Sequence, residues 1–147
     1  MLGLDPAVKF LAGIILNDSE IAESFLIMKK STLDETLLFF YTSLLTIDCD
    51  VVWCEDITYV RNYKSLIHMS EVLGMLRLVF AQRNIPFHVV NNMSWKKIIV
   101  GSGRADKDMI KKRAIELGAP IGLKQDLYDA WCIAEYGVKE LNNDPKS

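Results

Sequence analysis

Met1-Leu2-Gly3-Leu4-Asp5 opens the chain as an apolar run that stops on a carboxylate. Leu2–Leu4 reads as a short strand with its first acid at the end. The pattern returns at Val51-Val52-Trp53-Cys54-Glu55, four apolar residues closed again by an acid. An unbroken apolar run of that length predicts a buried, parallel strand. A third acidic group, Asp126 and Asp129, heads Leu127–Tyr136, an apolar-rich stretch that reads as a helix. Strand ends and a helix start that converge would gather Asp5, Glu55, Asp126 and Asp129 around one point. Such a cluster repels itself unless it holds protons or cations. Hard oxygen ligands in that number suit Mg²⁺ or Mn²⁺ and not zinc. The chemistry this predicts is metal-dependent phosphoryl transfer.

Outward from these runs the elements alternate. Phe10–Leu16 and Ile21–Met28 read as two strands joined through the turn Asn17-Asp18-Ser19, the pattern of an antiparallel meander. Thr32 and Glu35 form a capping box for a helix with apolar Leu33, Leu37, Phe40, Tyr41, Leu44 and Leu45. A second helix begins between Asn62 and Ser65 and runs to about Asn84. Its apolar residues fall on two flanks, Leu66, Met69, Leu73, Leu76 and Phe80 on one and Val72, Met75 and Val79 on the other. That stripe is wider than one sheet face needs, so it predicts either two-sided burial or a dimer interface. Pro86–Val90 is the fifth strand, and Ser94 is the expected cap of a short helix through Ile98. After the turn Gly101-Ser102-Gly103, a basic helix from about Ala105 to Leu117 is stopped by Gly118 and Pro120. The last helix spans about Asp126 to Leu141, with a frayed tail from 142. The fold class expected is α/β, a five-stranded mixed sheet flanked by helices in one domain over residues 1–147.

A chain of 147 residues, half of them hydrophobic, buries one core and is not disordered. Phe10–Leu16 is the longest uninterrupted apolar run, too short to span a membrane, and no basic leader precedes Asp5. A cytoplasmic protein is expected. Cys49, Cys54 and Cys132 make no CxxC pair and no zinc pattern with His68 or His88, so buried reduced thiols are expected. The net charge of −2 conceals segregation. Residues 58–113 carry eleven Lys or Arg against Glu71, Asp106 and Asp108, a net of +8, which leaves −10 on the remainder. A phosphate-contacting surface beside an acidic, cation-holding cleft explains both halves.

Four segments in register resemble the RuvC-type Holliday-junction resolvases of the RNase H-like superfamily. Leu2-Gly3-Leu4-Asp5-Pro6 is similar to their first-strand motif, and Val52-Trp53-Cys54-Glu55, with Asn62 seven residues on, to their second acidic motif. Trp95–Lys107 is similar to their lysine-bearing segment, and Asp126-Leu127-Tyr128-Asp129-Ala130 to their terminal D-x-x-D-A. The resemblance covers nearly the whole chain. It implies two Mg²⁺ ions about 3.5–4 Å apart, with Mn²⁺ able to substitute. Asp5 would bridge them, Glu55 would hold one, and Asp126 and Asp129 would supply the C-terminal pair. One ion would activate water and the other stabilise the departing 3′ oxygen, leaving a 5′ phosphate and a 3′ hydroxyl. Lys96 and Lys107 match the lysines near the scissile phosphate. Lys97, Arg104, Lys111, Lys112 and Arg113 would contact the DNA backbone, Arg61 and Lys64 would also bind DNA, and Asn62 would touch the strand near the exchange point. The implied partners are branched DNA and a second copy of the chain, docked through Leu66–Phe80.

The sequence departs from the family's pattern in two places. Ala7 stands where the family usually has glycine after Asp-Pro. Thr58 occupies the place of the aromatic wedge of bacterial members, with Tyr59 beside it as a substitute stacking group. That change and the chain's compactness suggest a phage-like member with relaxed base readout, acting in the host cytoplasm. The residues alone also leave an N-cap role open for Asp126 and a salt bridge to Arg61 or Lys64 open for Glu55. A broader fork or flap nuclease and a catalytically silent DNA-binding relative are the alternatives in function. Gly101-Ser102-Gly103 lacks the third glycine of a dinucleotide loop, so no nucleotide cofactor is expected.

Overall fold

A computed structural model describes residues 1–57 and 62–143. Five strands form one sheet: β1 (Leu2–Pro6), β2 (Phe10–Asn17), β3 (Glu20–Met28), β4 (Val52–Glu55) and β5 (Phe87–Val90). Their order is β3-β2-β1-β4-β5. β1–β2 and β2–β3 pair antiparallel, whereas β1–β4 and β4–β5 pair parallel. The mixed sheet is therefore as expected. The β2–β3 hairpin turns on Asp18 and Ser19, both at positive φ, which matches the strand twist of a two-residue loop.

Five helices follow: α1 (Leu33–Leu44), α2 (Tyr63–Gln82), α3 (Asn92–Ile99), α4 (Lys107–Glu116) and α5 (Gln125–Asn143). The Thr32–Glu35 capping box of α1 is present in both directions. Several boundaries differ from the expected ones. α3 is capped by Asn91, whose side chain accepts from the Met93 N–H, and not by Ser94. α4 starts later, at Lys107, and is capped by Asp106, whose side chain accepts from the Met109 N–H. α5 continues as helix through Asn143, past the expected fraying at 142.

The pleat sorts the sheet into two faces. Leu2 and Leu4 of β1 and Val52 and Cys54 of β4 pack with Phe40, Leu44, Leu76 and Phe80 of α1 and α2. The alternate residues, Gly3 and Asp5 on β1 and Trp53 and Glu55 on β4, therefore face the other side. That side is covered by α3, α4 and α5, whose Trp95, Ile110 and Trp131 share a second core with Ala12, Ile14 and Val90. α5 lies directly on β1. A side chain at Gly3 would stand 2.2 Å from the Ala130 carbonyl and 2.4 Å from the Ala134 nitrogen. This close approach brings the start of α5 over the end of β1.

α2 buries only part of its apolar surface in the chain's own core. Val72, Leu76, Val79 and Phe80 are buried in the core. Leu66, Ile67 and Leu78 remain exposed, and Tyr63 keeps 77% of its surface. All three cysteines are free, and burial pushes the Cys49 thiol up to about 11 and also raises those of Cys54 and Cys132. Among the described residues no helix is long and apolar enough to cross a membrane.

Candidate active site

β1, β4 and β5 run parallel, so their carboxyl ends meet at one edge of the sheet. Asp5 and Glu55 sit at that edge on neighbouring strands, one step beyond the Leu4–Cys54 pair. Asp126 lies in the first turn of α5, where the helix dipole favours an acid, and Asp129 follows one turn on along the same face. Carboxylate oxygens of Asp5, Asp126 and Asp129 all lie within 4.8 Å of one another. The three expected acids converge across 124 residues of chain because Gly3 lets α5 approach.

Burial above all, then the carboxylates of Glu55 and Asp129, hold the Asp5 carboxyl well above the usual carboxylate range. Asp129 is also raised, by its own burial, although the Lys107 ammonium works against that shift. Lys107 donates to Asp129 Oδ2 and forms an ion pair with it. Burial disfavours the lysine's charge, yet its bond to Asp129 leaves its proton held more tightly than usual. The other oxygen, Asp129 Oδ1, is buried with no hydrogen-bond partner among the described residues. An unpartnered buried carboxylate oxygen is costly unless something positive meets it. Oxygens on opposite sides of a Mg²⁺-sized ion lie about 4 Å apart. The cluster therefore fits a divalent cation after small side-chain adjustments.

Glu55 stands beside this triad, and its carboxylate is engaged on both oxygens. Asn92 Nδ2 donates to Oε1 at 2.8 Å and the Trp95 indole N–H to Oε2 at 2.7 Å. The register explains the contact: Glu55 pairs with Val90, and α3 begins two residues later. Both donors were missed from sequence, since neutral N–H groups leave no charge signature. The expected alternative partner Lys64 is not the one found. For Asp126, Gln125 already precedes it in the helix, so it stands inside the first turn and not at its cap.

The basic residues divide. Lys96 acts electrostatically on Asp129 and lies 5.6 Å from the centre of the Trp95 ring, so α3 carries it to the acidic edge. Lys97, Arg104, Lys111 and Lys112 are exposed around α3 and α4. Arg113 is committed to the protein itself, donating to the Ile99 carbonyl at 3.1 Å and to Glu116 at 3.2 Å. Asn62 caps α2 by accepting from Ser65. Lys64 lines a recess of about 370 Å³ with Lys29, Lys30 and His68, on the opposite face of the sheet from α3 and α4. Thr58, Tyr59 and Arg61 lie outside the described residues.

The family model "Crossover junction endodeoxyribonuclease RuvC" matches residues 1–134. A crossover junction endodeoxyribonuclease RuvC from Caldicellulosiruptor saccharolyticus is 28% identical over 151 aligned positions, covering 91% of this chain and 89% of its own. Among solved structures, the chain resembles a Thermus thermophilus RuvC in complex with a Holliday junction substrate. The TM-score is 0.81 at 15% identity, covering 95% of this chain and 93% of that one. It also resembles the fowlpox virus resolvase in complex with Holliday junction DNA, with a TM-score of 0.65 at 15% identity, covering 95% and 98%.

Proposed function

Because the chain belongs to the family of crossover junction endodeoxyribonucleases RuvC, we propose that its acidic edge resolves four-way DNA junctions by metal-assisted hydrolysis of a phosphodiester. The observation that carries the reading is the convergence of Asp5, Asp126 and Asp129 beside a buried, unpartnered oxygen of Asp129. Mg²⁺ is the proposed ion, at two per site, with Mn²⁺ as its substitute. Asp5 would contribute to both subsites, Asp126 and Asp129 to one, and Glu55 to the other. Ions held there would supply a nucleophilic water and would stabilise the charge that develops at phosphorus and on the departing oxygen.

The protein's own groups do the rest. Asp129 is almost fully covered, whereas 57% of the Lys107 side chain is exposed. Its ammonium is therefore able to swing from Asp129 to an incoming phosphate without unpacking the core. Lys96 approaches the same edge from α3, and together the two cations would offset the transition-state charge. Lys97, Arg104, Lys111 and Lys112 hold flanking phosphates and contribute affinity more than sequence choice. Residues 1–147 act as a single nuclease domain in the cytoplasm. Two copies would pair through the exposed apolar residues of α2, Leu66, Ile67 and Leu78. A symmetric dimer offers two sites to the two equivalent strands of a junction.

The test is cleavage of a synthetic mobile four-way junction with Mg²⁺, beside a linear duplex and a fork. Cutting is expected on the junction, symmetric in opposed strands, with 5′ phosphate ends, and Asp5→Asn and Asp129→Asn should abolish it. Metal-independent cutting, or full activity in either variant, refutes the mechanism. Equal cutting of plain duplex refutes the junction assignment and leaves a nuclease.

A further inference from the structure

Glu55 is the acid that the triad does not include, and its environment is built differently. Both of its oxygens are held by neutral donors from a single helix, Asn92 and Trp95 of α3. Each carboxylate oxygen has about two acceptor sites, so one N–H bond on each still leaves a site per oxygen for a cation. Neutral donors aim the carboxylate without cancelling its charge, which the ammonium on Asp129 does. The helix that carries them is itself fixed: Trp95 and Ile99 are buried, and Asn91 caps the first turn.

A bland account is that Trp95 only satisfies its own N–H. The fold does not require that. The indole nitrogens of Trp53 and Trp131 are buried without a hydrogen-bond partner among the described residues. Asn92 is half-exposed, with water available to it, and nonetheless meets Glu55 at 2.8 Å. Two donors of different chemistry, three residues apart on one helix, meet the two oxygens of the one acid left outside the triad.

We propose that Asn92 and Trp95 are positioning residues that aim Glu55 at the cation subsite it shares with Asp5, and so set how tightly that subsite binds a divalent ion. The inference rests on the nuclease reading above and deepens it. It also ties ion binding to α3, the helix that brings Lys96 to the phosphate.

The experiment is calorimetric titration of the DNA-free protein with Mn²⁺, for the unmutated chain, Asn92→Ala and Trp95→Phe, with a metal-free melt of each. Trp95→Phe keeps an aromatic ring in the core and removes the N–H. Loss of an orienting partner of this kind typically weakens ion binding by about 10–100-fold, and that loss is expected in both variants. The metal-free Tm of Asn92→Ala should stay within about 2 °C, as for a partly exposed substitution. Unmutated Mn²⁺ affinity in either variant overturns the proposal, including the case in which Trp95→Phe lowers Tm alone. If the unmutated protein cuts junctions while the variants bind Mn²⁺ normally, this inference alone falls. If the variants lose affinity but the unmutated protein cuts no junction, the nuclease reading falls and the positioning role stands.

Discussion

Asp5→Asn should stabilise the metal-free protein while destroying its site. Oxygens of Asp5, Asp126 and Asp129 lie within 4.8 Å of one another. Two unit charges at that distance repel by about 3.5 kcal/mol at an effective dielectric constant of about 20. Lys107 already offsets Asp129, so the unrelieved part is chiefly Asp5 against Asp126 and Glu55. The repulsion favours the protonated form of Asp5, whose carboxyl is raised by burial first and then by Glu55 and Asp129. An amide of the same shape removes the remainder. The expected gain at pH 8 in EDTA is about 1–3 kcal/mol, or about 3–9 °C in Tm for a chain of this size. The pH dependence carries a definite sign. An acid whose folded value is raised binds more protons folded than unfolded, so its contribution is complete below the unfolded value and lost as pH rises through the folded one. As pH rises above the ordinary carboxylate range, melts in EDTA should therefore fall more steeply in the unmutated protein than in Asp5→Asn. Mn²⁺ at a hundredfold its Kd adds about 2.7 kcal/mol to a protein that binds it, and should add little to the variant. A variant that melts at or below the unmutated protein at pH 8 in EDTA, or that keeps the whole Mn²⁺ gain, would refute the reasoning.

Lys107→Ala should lower junction cleavage by about 10²–10³-fold and the metal-free stability by about 1–2 kcal/mol, less than a fully buried pair because the lysine is 57% exposed. Single-turnover rates and urea melts check the two effects. Gly3→Ala forces a Cβ to within 2.2 Å of the Ala130 carbonyl, so α5 must shift with both of its acids. A loss of at least about 1–3 kcal/mol is expected, with weaker Mn²⁺ binding by calorimetry, and normal ion affinity would count against the close-packing argument. Replacing Lys97, Lys111 and Lys112 together by alanine should flatten the slope of log affinity against log salt by about 2–3. Arg113→Ala should leave that slope unchanged and lower Tm, because its guanidinium serves Ile99 and Glu116.

The candidate acids were legible because each breaks an apolar pattern: Asp5 and Glu55 lie at the ends of strands, and Asp126 and Asp129 head a helix. The five strands were legible for the same reason, since apolar runs and turn residues alternate cleanly along the chain. What the sequence left open depends on register. Asn91, Asn92 and Ser94 are all competent caps, and only the position of Val90 against Glu55 decides where α3 starts. Arg113 reads as one more cation in a basic helix until the Ile99 carbonyl is seen to take it. The donors to Glu55 were the least legible, because Trp95 lies 40 positions away and reads as core. Their neutrality has a physical rationale in this charge distribution. Residues 58–113 carry a net +8, and a lysine or arginine aimed at Glu55 would have cancelled the charge a cation needs. An amide and an indole hold the same geometry and leave the negative charge in place. The lysine on Asp129 breaks that rule only where 57% of the side chain is in solvent, so that the proposed exchange of its carboxylate for a phosphate would leave the core packed.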